Sequence, residues 1–254
     1  MLAEIKGKVS RTGSNLSERL EDNLTGNVFG VLRYLPFSDG LGKVLANVVK
    51  TSTVKSIIEE IPDRFWADRI EFWPYDQEGE LDALLTFKNV MIGVEVKFLS
   101  GLSSVDDADH DPNTSSKHQL ARESQIVAKK GGNKKKVLLF IADRQMCKAV
   151  EKSVGSLDNS IIEDDVELEY VAWQDFLHEL KQLNGLDHFQ QIIIQDLIEL
   201  LTRKGFEDFI RMDIYEAPII HTNQLFDFNI LSNEVTIDFI TNPSINEELY
   251  YEFN

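Results

Sequence analysis

Cysteine is almost missing from this chain: Cys147 stands alone among 254 residues. A single thiol closes no intrachain disulfide and builds no cysteine-based zinc cluster. Long apolar runs are missing as well. The longest, Val137 to Ala142, is far short of the roughly 20 residues that cross a bilayer. It reads as a buried strand, and no membrane partner is expected. No glycine-rich phosphate loop is present, which argues against an ATPase, and the five histidines show no metal-ligand spacing. The first residues, Met1-Leu-Ala-Glu-Ile-Lys6, lack the apolar stretch of an export signal, so a cytoplasmic location is expected. Basic residues are in short supply, 26 Lys and Arg against 43 Asp and Glu, for a net charge of −17. That balance argues against a protein that coats nucleic acid without specificity, because phosphate binding needs clustered cations. The 43% hydrophobic content is that of a globular chain rather than a disordered one.

What is present is an alternation of helical and strand patterns. Leu16, Leu20, Leu24, Val28, Leu32 and Leu35 recur at helical spacing and Pro36 ends the run, which predicts a helix over 15–35 opened by an Asn15/Glu18 capping box. Shorter helices are expected at 41–49 and 54–61. Strand chemistry follows at 65–75, 81–87 and 90–98, the last two joined by Lys88-Asn89 as an antiparallel hairpin. A polar loop (101–116), a helix (118–130), the break Gly131-Gly132-Asn133, a buried strand (137–142), a further strand (168–172) and a helix (173–183) complete an α/β core around a mixed central sheet flanked by helices. Residues 1–183 are expected to form this domain. Residues 184–254 are expected to form a C-terminal helical or mixed extension, with helices at 189–201 and 206–212 and short apolar runs at 225–231 and 235–240.

Three charged residues interrupt the central hairpin, in Glu80-Leu81-Asp82 and Gly93-Val94-Glu95-Val96-Lys97. Side chains alternate along a strand, so Glu95 and Lys97 share a face while Val94 and Val96 take the other. Asp82 and Glu95 lie at matching distances from the Lys88-Asn89 turn, so two carboxylates and an ammonium converge beside an apolar sheet. Hard divalent ions such as Mg²⁺ take one or two carboxylates, with water and substrate phosphate completing the shell. A lysine beside such a ligand can orient water, accept its proton, or stabilise charge on phosphorus. A buried structural ion pair between Glu95 and Lys97 is the competing reading.

Asp82 followed by Glu95-Val96-Lys97 at the end of an apolar strand resembles the PD-(D/E)xK signature of restriction-endonuclease-like nucleases. Element order over about 15–183 resembles that fold too. Leu81 stands where a proline often precedes the aspartate. The resemblance implies that Asp82 and Glu95 hold Mg²⁺ or Mn²⁺ and that Lys97 serves the hydrolytic water, with DNA as the substrate and restriction, antiviral (phage) defence or repair as the setting. It also points to Glu21, on the core-facing flank of the first helix, as a third metal ligand, and to Gln119, at the start of the helix after the second strand, as a catalytic accessory. Glu80 is a weaker extra ligand. For Glu21 the alternative is a helix-flank salt bridge, and for Gln119 a residue that simply starts a helix.

Nine basic residues against two acids lie between Lys117 and Lys148. Within that stretch Lys129, Lys130, Lys134, Lys135 and Lys136 are candidate phosphate contacts, or else a solvated loop. The acidic remainder suggests a homo-oligomer or a partner protein that supplies DNA affinity. Two functions therefore compete: a metal-dependent endonuclease, and a catalytically inactive nuclease-fold protein that serves as a protein–protein interaction module. Loss of one of Asp82, Glu95 or Lys97 would favour the second, and all three are present.

Overall fold

A computed structural model of the protein describes residues 16–98, 118–157 and 161–208. Asn15, the polar loop at 101–116 and the apolar runs at 225–231 and 235–240 lie outside the described residues. Three helices come first: α1 (Leu16–Leu32), α2 (Leu41–Val48) and α3 (Ser52–Glu59). A strand, β1 (Ile70–Phe72), leads into a small hairpin of β2 (Tyr75–Asp76) and β3 (Gly79–Glu80), and then into β4 (Ala83–Thr86) and β5 (Val90–Val96). The remainder alternates: α4 (Gln119–Gly131), β6 (Lys135–Ala142), α5 (Arg144–Gly155), β7 (Val166–Ala172), α6 (Trp173–Gln182) and α7 (His188–Arg203). The five-stranded sheet has the order β1-β4-β5-β6-β7. Its first two pairings are antiparallel and its last two parallel, so the protein is α/β with a mixed sheet flanked by helices.

Alternation along the strands builds a core on each face. Val90, Ile92, Val94 and Val96 of β5, with Val137, Leu139 and Ile141 of β6, pack with Leu24, Val28 and Leu32 of α1 and with apolar side chains of α2, α3, α6 and α7. Leu84, Met91, Leu138 and Phe140 point the other way, onto Leu120, Ile126 and Val127 of α4 and Cys147 and Val150 of α5. Burial of β5 and β6 on both faces explains their nearly continuous apolar sequences.

Gly93 is what allows α4 to lie so close to the sheet, since a Cβ there would stand 2.4 Å from Val127 Cγ2. Gly93→Ala is expected to cost about 1–3 kcal/mol by overpacking, measured by urea unfolding. A loss below about 0.5 kcal/mol would mean that α4 can retreat freely.

Two segments differ from the sequence-based expectation. The aromatic stretch 65–75 is not one strand. Only Ile70–Phe72 joins the sheet, because Trp73 turns the chain with φ +51, an unusual value for a bulky residue, and the β2–β3 hairpin follows. Residues 206–208 are not helical either. Gly205, at φ +85, ends α7; Gly205 N–H donates to the Thr202 carbonyl (2.9 Å) and Phe206 N–H to that of Leu201 (3.1 Å). This is a Schellman ending, and it turns Phe206 onto the buried Trp173 ring, stacked at 5.5 Å. Ile193, Ile194, Leu197 and Leu201 of α7 sit in the same core as α1 and α6, and the compact unit that holds the sheet runs to Asp208. The expected boundary at Leu183 therefore falls inside that unit, because the apolar face of α7 is buried against its helices.

Candidate active site

The β4–β5 register pairs Ala83 with Val94, which sets Asp82, one residue before β4, opposite Glu95. Glu95 shares the parity of Met91 and Lys97, so it faces the α4 side of the sheet. Asp82 is fixed by its own partner strand: Val96 N–H donates to its Oδ2 at 2.7 Å. Its main chain is held from the other side, the Asp82 carbonyl accepting from Trp73 N–H at 3.0 Å.

Lys97 lies at the end of β5 with its ammonium 2.9 Å from Glu95 Oε1 and 3.7 Å from Glu21 Oε2. Glu21 reaches this point from α1 and caps the strand end, accepting Phe98 N–H on Oε1 at 2.9 Å. Gln119, the first residue of α4, donates from Nε2 to Glu95 Oε1 at 2.6 Å. All five residues expected at the site from the sequence thus come together: Asp82, Glu95, Lys97, Glu21 and Gln119. Glu80 does not join the buried group; it is exposed on the β2–β3 hairpin.

Two acids that sequence reasoning did not single out belong to the same neighbourhood. Glu123 lies one helical turn after Gln119 and is only 3% exposed. Its carboxyl faces Gln119 and Glu95. Asp22, equally buried beside Glu21, acts electrostatically on Asp82. Glu123 was detectable in the sequence, since it sits between Leu120 and Val127 on the apolar face of its helix.

The electrostatics reflect a surplus of carboxyls. Burial first, and then the Glu95 carboxylate, hold the Asp82 carboxyl well above the usual range, against the pull of Val96 N–H and Lys97. Burial and Glu95 raise Glu123 in the same direction. Burial alone would lower Lys97, but the Glu95 carboxylate and its hydrogen bond, with Glu21 and Asp82, raise it instead. Lys97 is therefore a fixed cation in this arrangement.

Among the described residues, no three His, Cys, Asp or Glu side chains are grouped closely enough to hold a metal ion as they stand. The reason is visible in the contacts: the Lys97 ammonium lies between Glu95 and Glu21, and Val96 N–H holds Asp82. The donor chemistry nevertheless fits a hard divalent cation. It consists of carboxylate oxygens in excess over the one buried ammonium, with acids that resist ionisation for want of positive charge.

The basic stretch lies elsewhere. Lys135 is paired across the parallel ladder with Val90, whereas Glu95 is paired with Phe140. At the rise of a strand this puts the lysines about 16 Å from the acids, at the opposite end of the sheet. Four of the five candidates are engaged within the chain. Lys129 bridges to Asp76 (3.2 Å), Lys134 donates to the Phe87 carbonyl (2.8 Å), Lys135 pairs with Glu60 and Lys136 with Asp165.

The start of α4, which carries Gln119, is capped by His118, whose Nδ1 accepts Leu120 N–H at 3.3 Å. That bond needs a neutral imidazole, and burial, then Arg122, lowers the His118 value. A group favoured neutral in the fold contributes stability above the ordinary histidine value of about 6.5 and loses it as pH falls through the lowered value. Between pH 7.5 and 5 the wild type should therefore lose stability relative to His118→Asn, whose cap does not titrate. Parallel pH profiles of the two proteins in urea unfolding would refute this cap.

No protein-family model matches the sequence, and no curated protein matches it either.

Proposed function

We propose that this protein is a divalent-cation-dependent nuclease that hydrolyses phosphodiester bonds of DNA, built on a restriction-endonuclease-like core. The observation that carries the reading is the convergence of Asp82, Glu95 and Lys97 at one end of β5, in a cluster where carboxyls outnumber the ammonium. Asp82 and Glu95 would hold Mg²⁺ or Mn²⁺, with Glu21 near enough to assist. When bound, such an ion polarises the scissile phosphate and makes water a stronger nucleophile. Lys97, held beside Glu95 and Glu21, would serve the hydrolytic water or stabilise negative charge that develops on the phosphate. Gln119 and Val96 N–H orient the two carboxylates. The four lysines of the basic stretch that are tied up within the chain leave DNA affinity to a second copy or to a partner protein.

One observation favours the reading as a non-catalytic interaction module: Lys97 already satisfies Glu95 and Glu21 as a buried ion pair. That ion pair does not account for the buried Glu123 or the partly buried Asp82 in the same place. Incubation of supercoiled, linear and single-stranded DNA with Mg²⁺ or Mn²⁺ tests the choice. The nuclease reading expects cutting that a chelator stops and that Glu95→Gln lowers by a factor on the order of 10³. Equal cutting by Glu95→Gln and wild type would refute it.

A further inference from the structure

The end of α7 is fastened to the strand that carries Lys97, and the reading above leaves it unused. Trp173 Nε1–H donates to the Lys97 carbonyl at 3.2 Å. Phe206 stacks on the Trp173 ring and meets the edge of the Phe98 ring, each at 5.5 Å between centres. The turn that delivers Phe206 also fixes Lys204, whose N–H donates to the Leu200 carbonyl at 3.0 Å. The Lys204 ammonium lies 4.9 Å from the centre of the Phe98 ring, in the range of a cation–π contact. Phe98 N–H is in turn the donor that Glu21 accepts at 2.9 Å. Bond lengths keep a phenylalanine ring centre close to its own amide, so Lys204 stands within about 10 Å of the amide that Glu21 holds. Among the described residues the Lys204 ammonium has no carboxylate partner, whereas Arg144 nearby pairs with Asp175 and Asp208, and Lys181 with Glu207.

We propose that Lys204 binds a backbone phosphate of the nucleic-acid substrate, on the α7 side of the site and a short way along the strand from the scissile bond. Successive phosphates of one strand rise about 3.4 Å per nucleotide, so the reach from the acids to Lys204 suits a phosphate roughly one to three nucleotides away. A lysine meets phosphate as a point charge. The Phe98 ring holds that charge in place without neutralising it, as a carboxylate partner would. Such a contact fixes the register of a strand and reads no sequence. Lys204 therefore positions the substrate, which the lysines at the far end of the sheet do not. A cation at the end of α7 is also favourable to the helix dipole, but that role alone affects stability and not DNA. The proposal rests on the nuclease reading of Asp82, Glu95 and Lys97.

The test is the salt dependence of binding to fluorescently labelled duplex and single-stranded DNA, read by anisotropy with Ca²⁺ as the divalent ion, for the full chain as wild type, Lys204→Gln and Lys204→Arg. Lys204→Gln is expected to lower the slope of log K against log salt by about 0.9 on duplex or about 0.7 on a single strand, the share of one phosphate. Its affinity at low salt should fall on the order of tenfold, by a similar factor for unrelated sequences. Lys204→Arg, which keeps the charge, should keep the slope. In Mg²⁺ cleavage Lys204→Gln should raise KM and leave kcat nearly unchanged. Lys204→Met serves if the amide variant does not fold. Wild-type binding whose slope and affinity Lys204→Gln leaves unchanged would overturn the phosphate contact and leave the nuclease reading standing. Failure of the wild type to bind either DNA at low salt would overturn the contact as well. The expected change of slope in a wild type that cuts no DNA would keep the contact and overturn the nuclease reading.

Discussion

Lys97→Met is expected to destabilise the metal-free protein by about 3–5 kcal/mol, the usual cost of leaving a buried charge without its partner. It should also lower metal-dependent DNA cleavage by a factor on the order of 10³. The stability effect is large because Lys97 stands 2.9 Å from Glu95 and 3.7 Å from Glu21, and both carboxylates are buried. Removing the ammonium leaves them facing Asp82 and Glu123 with no cation between. Mg²⁺ should therefore restore part of the lost stability in Lys97→Met, and more of it than the ion adds to the wild type. Urea unfolding with and without Mg²⁺ measures both quantities. A metal-free loss under about 1 kcal/mol would mean that the carboxylates simply take up protons. Lys97→Arg should not rescue activity, since a planar fork does not replace a compact ammonium at this site.

Asp82→Asn is expected to separate the two effects. Asparagine can still accept Val96 N–H through its carbonyl oxygen, so the local hydrogen bond survives while the charge goes. Stability should hold or rise, and cleavage should fall on the order of 10³-fold. The pH dependence has a definite sign. An acid raised in the fold binds its proton more tightly there than in the unfolded chain. Its contribution to stability is then fully present below the unfolded carboxyl value of about 4, and is lost as pH rises through the raised folded value. Asp82→Asn should make the stability of the metal-free protein fall less steeply over that window. Glu123 carries the same sign, so the slope should shrink without vanishing. A steeper slope in the variant would refute this account of the site's charge.

The parts of the fold that were legible in the sequence are those governed by short-range periodicity. The hairpin turning at Lys88-Asn89 has the expected register, Ala83 opposite Val94, which is why Asp82 and Glu95 could be placed face to face. Period 3.6 likewise marks α1 and α4, while Glu21 and Gln119 on those helices are what the resemblance to the nuclease family implies. What was not legible depends on tertiary placement. Trp73 breaks the aromatic stretch because its φ of +51 redirects the chain, and no residue pattern announces that at a tryptophan. The sequence offers the basic stretch as candidate phosphate contacts without fixing its place, and parallel pairing puts Lys135 and Lys136 at the far end of the sheet from Glu95. The sequence marks Glu123 as a charge on the apolar face of its helix, but only the packing of α4 on Gly93 brings it beside Glu95. The apolar face of α7 is visible in the sequence, but its burial in the same core as α1 and α6 is not.

The most direct test of the central claim is cleavage of supercoiled plasmid DNA by wild type and Asp82→Asn across a Mn²⁺ titration, with both proteins shown to be equally folded. The account predicts nicked or linear product that appears only with the cation in the wild type and is lost in the variant. Cleavage that survives Asp82→Asn at full rate, or a wild type that binds Mn²⁺ through Asp82 and leaves supercoiled, linear and single-stranded DNA alike untouched, would contradict it.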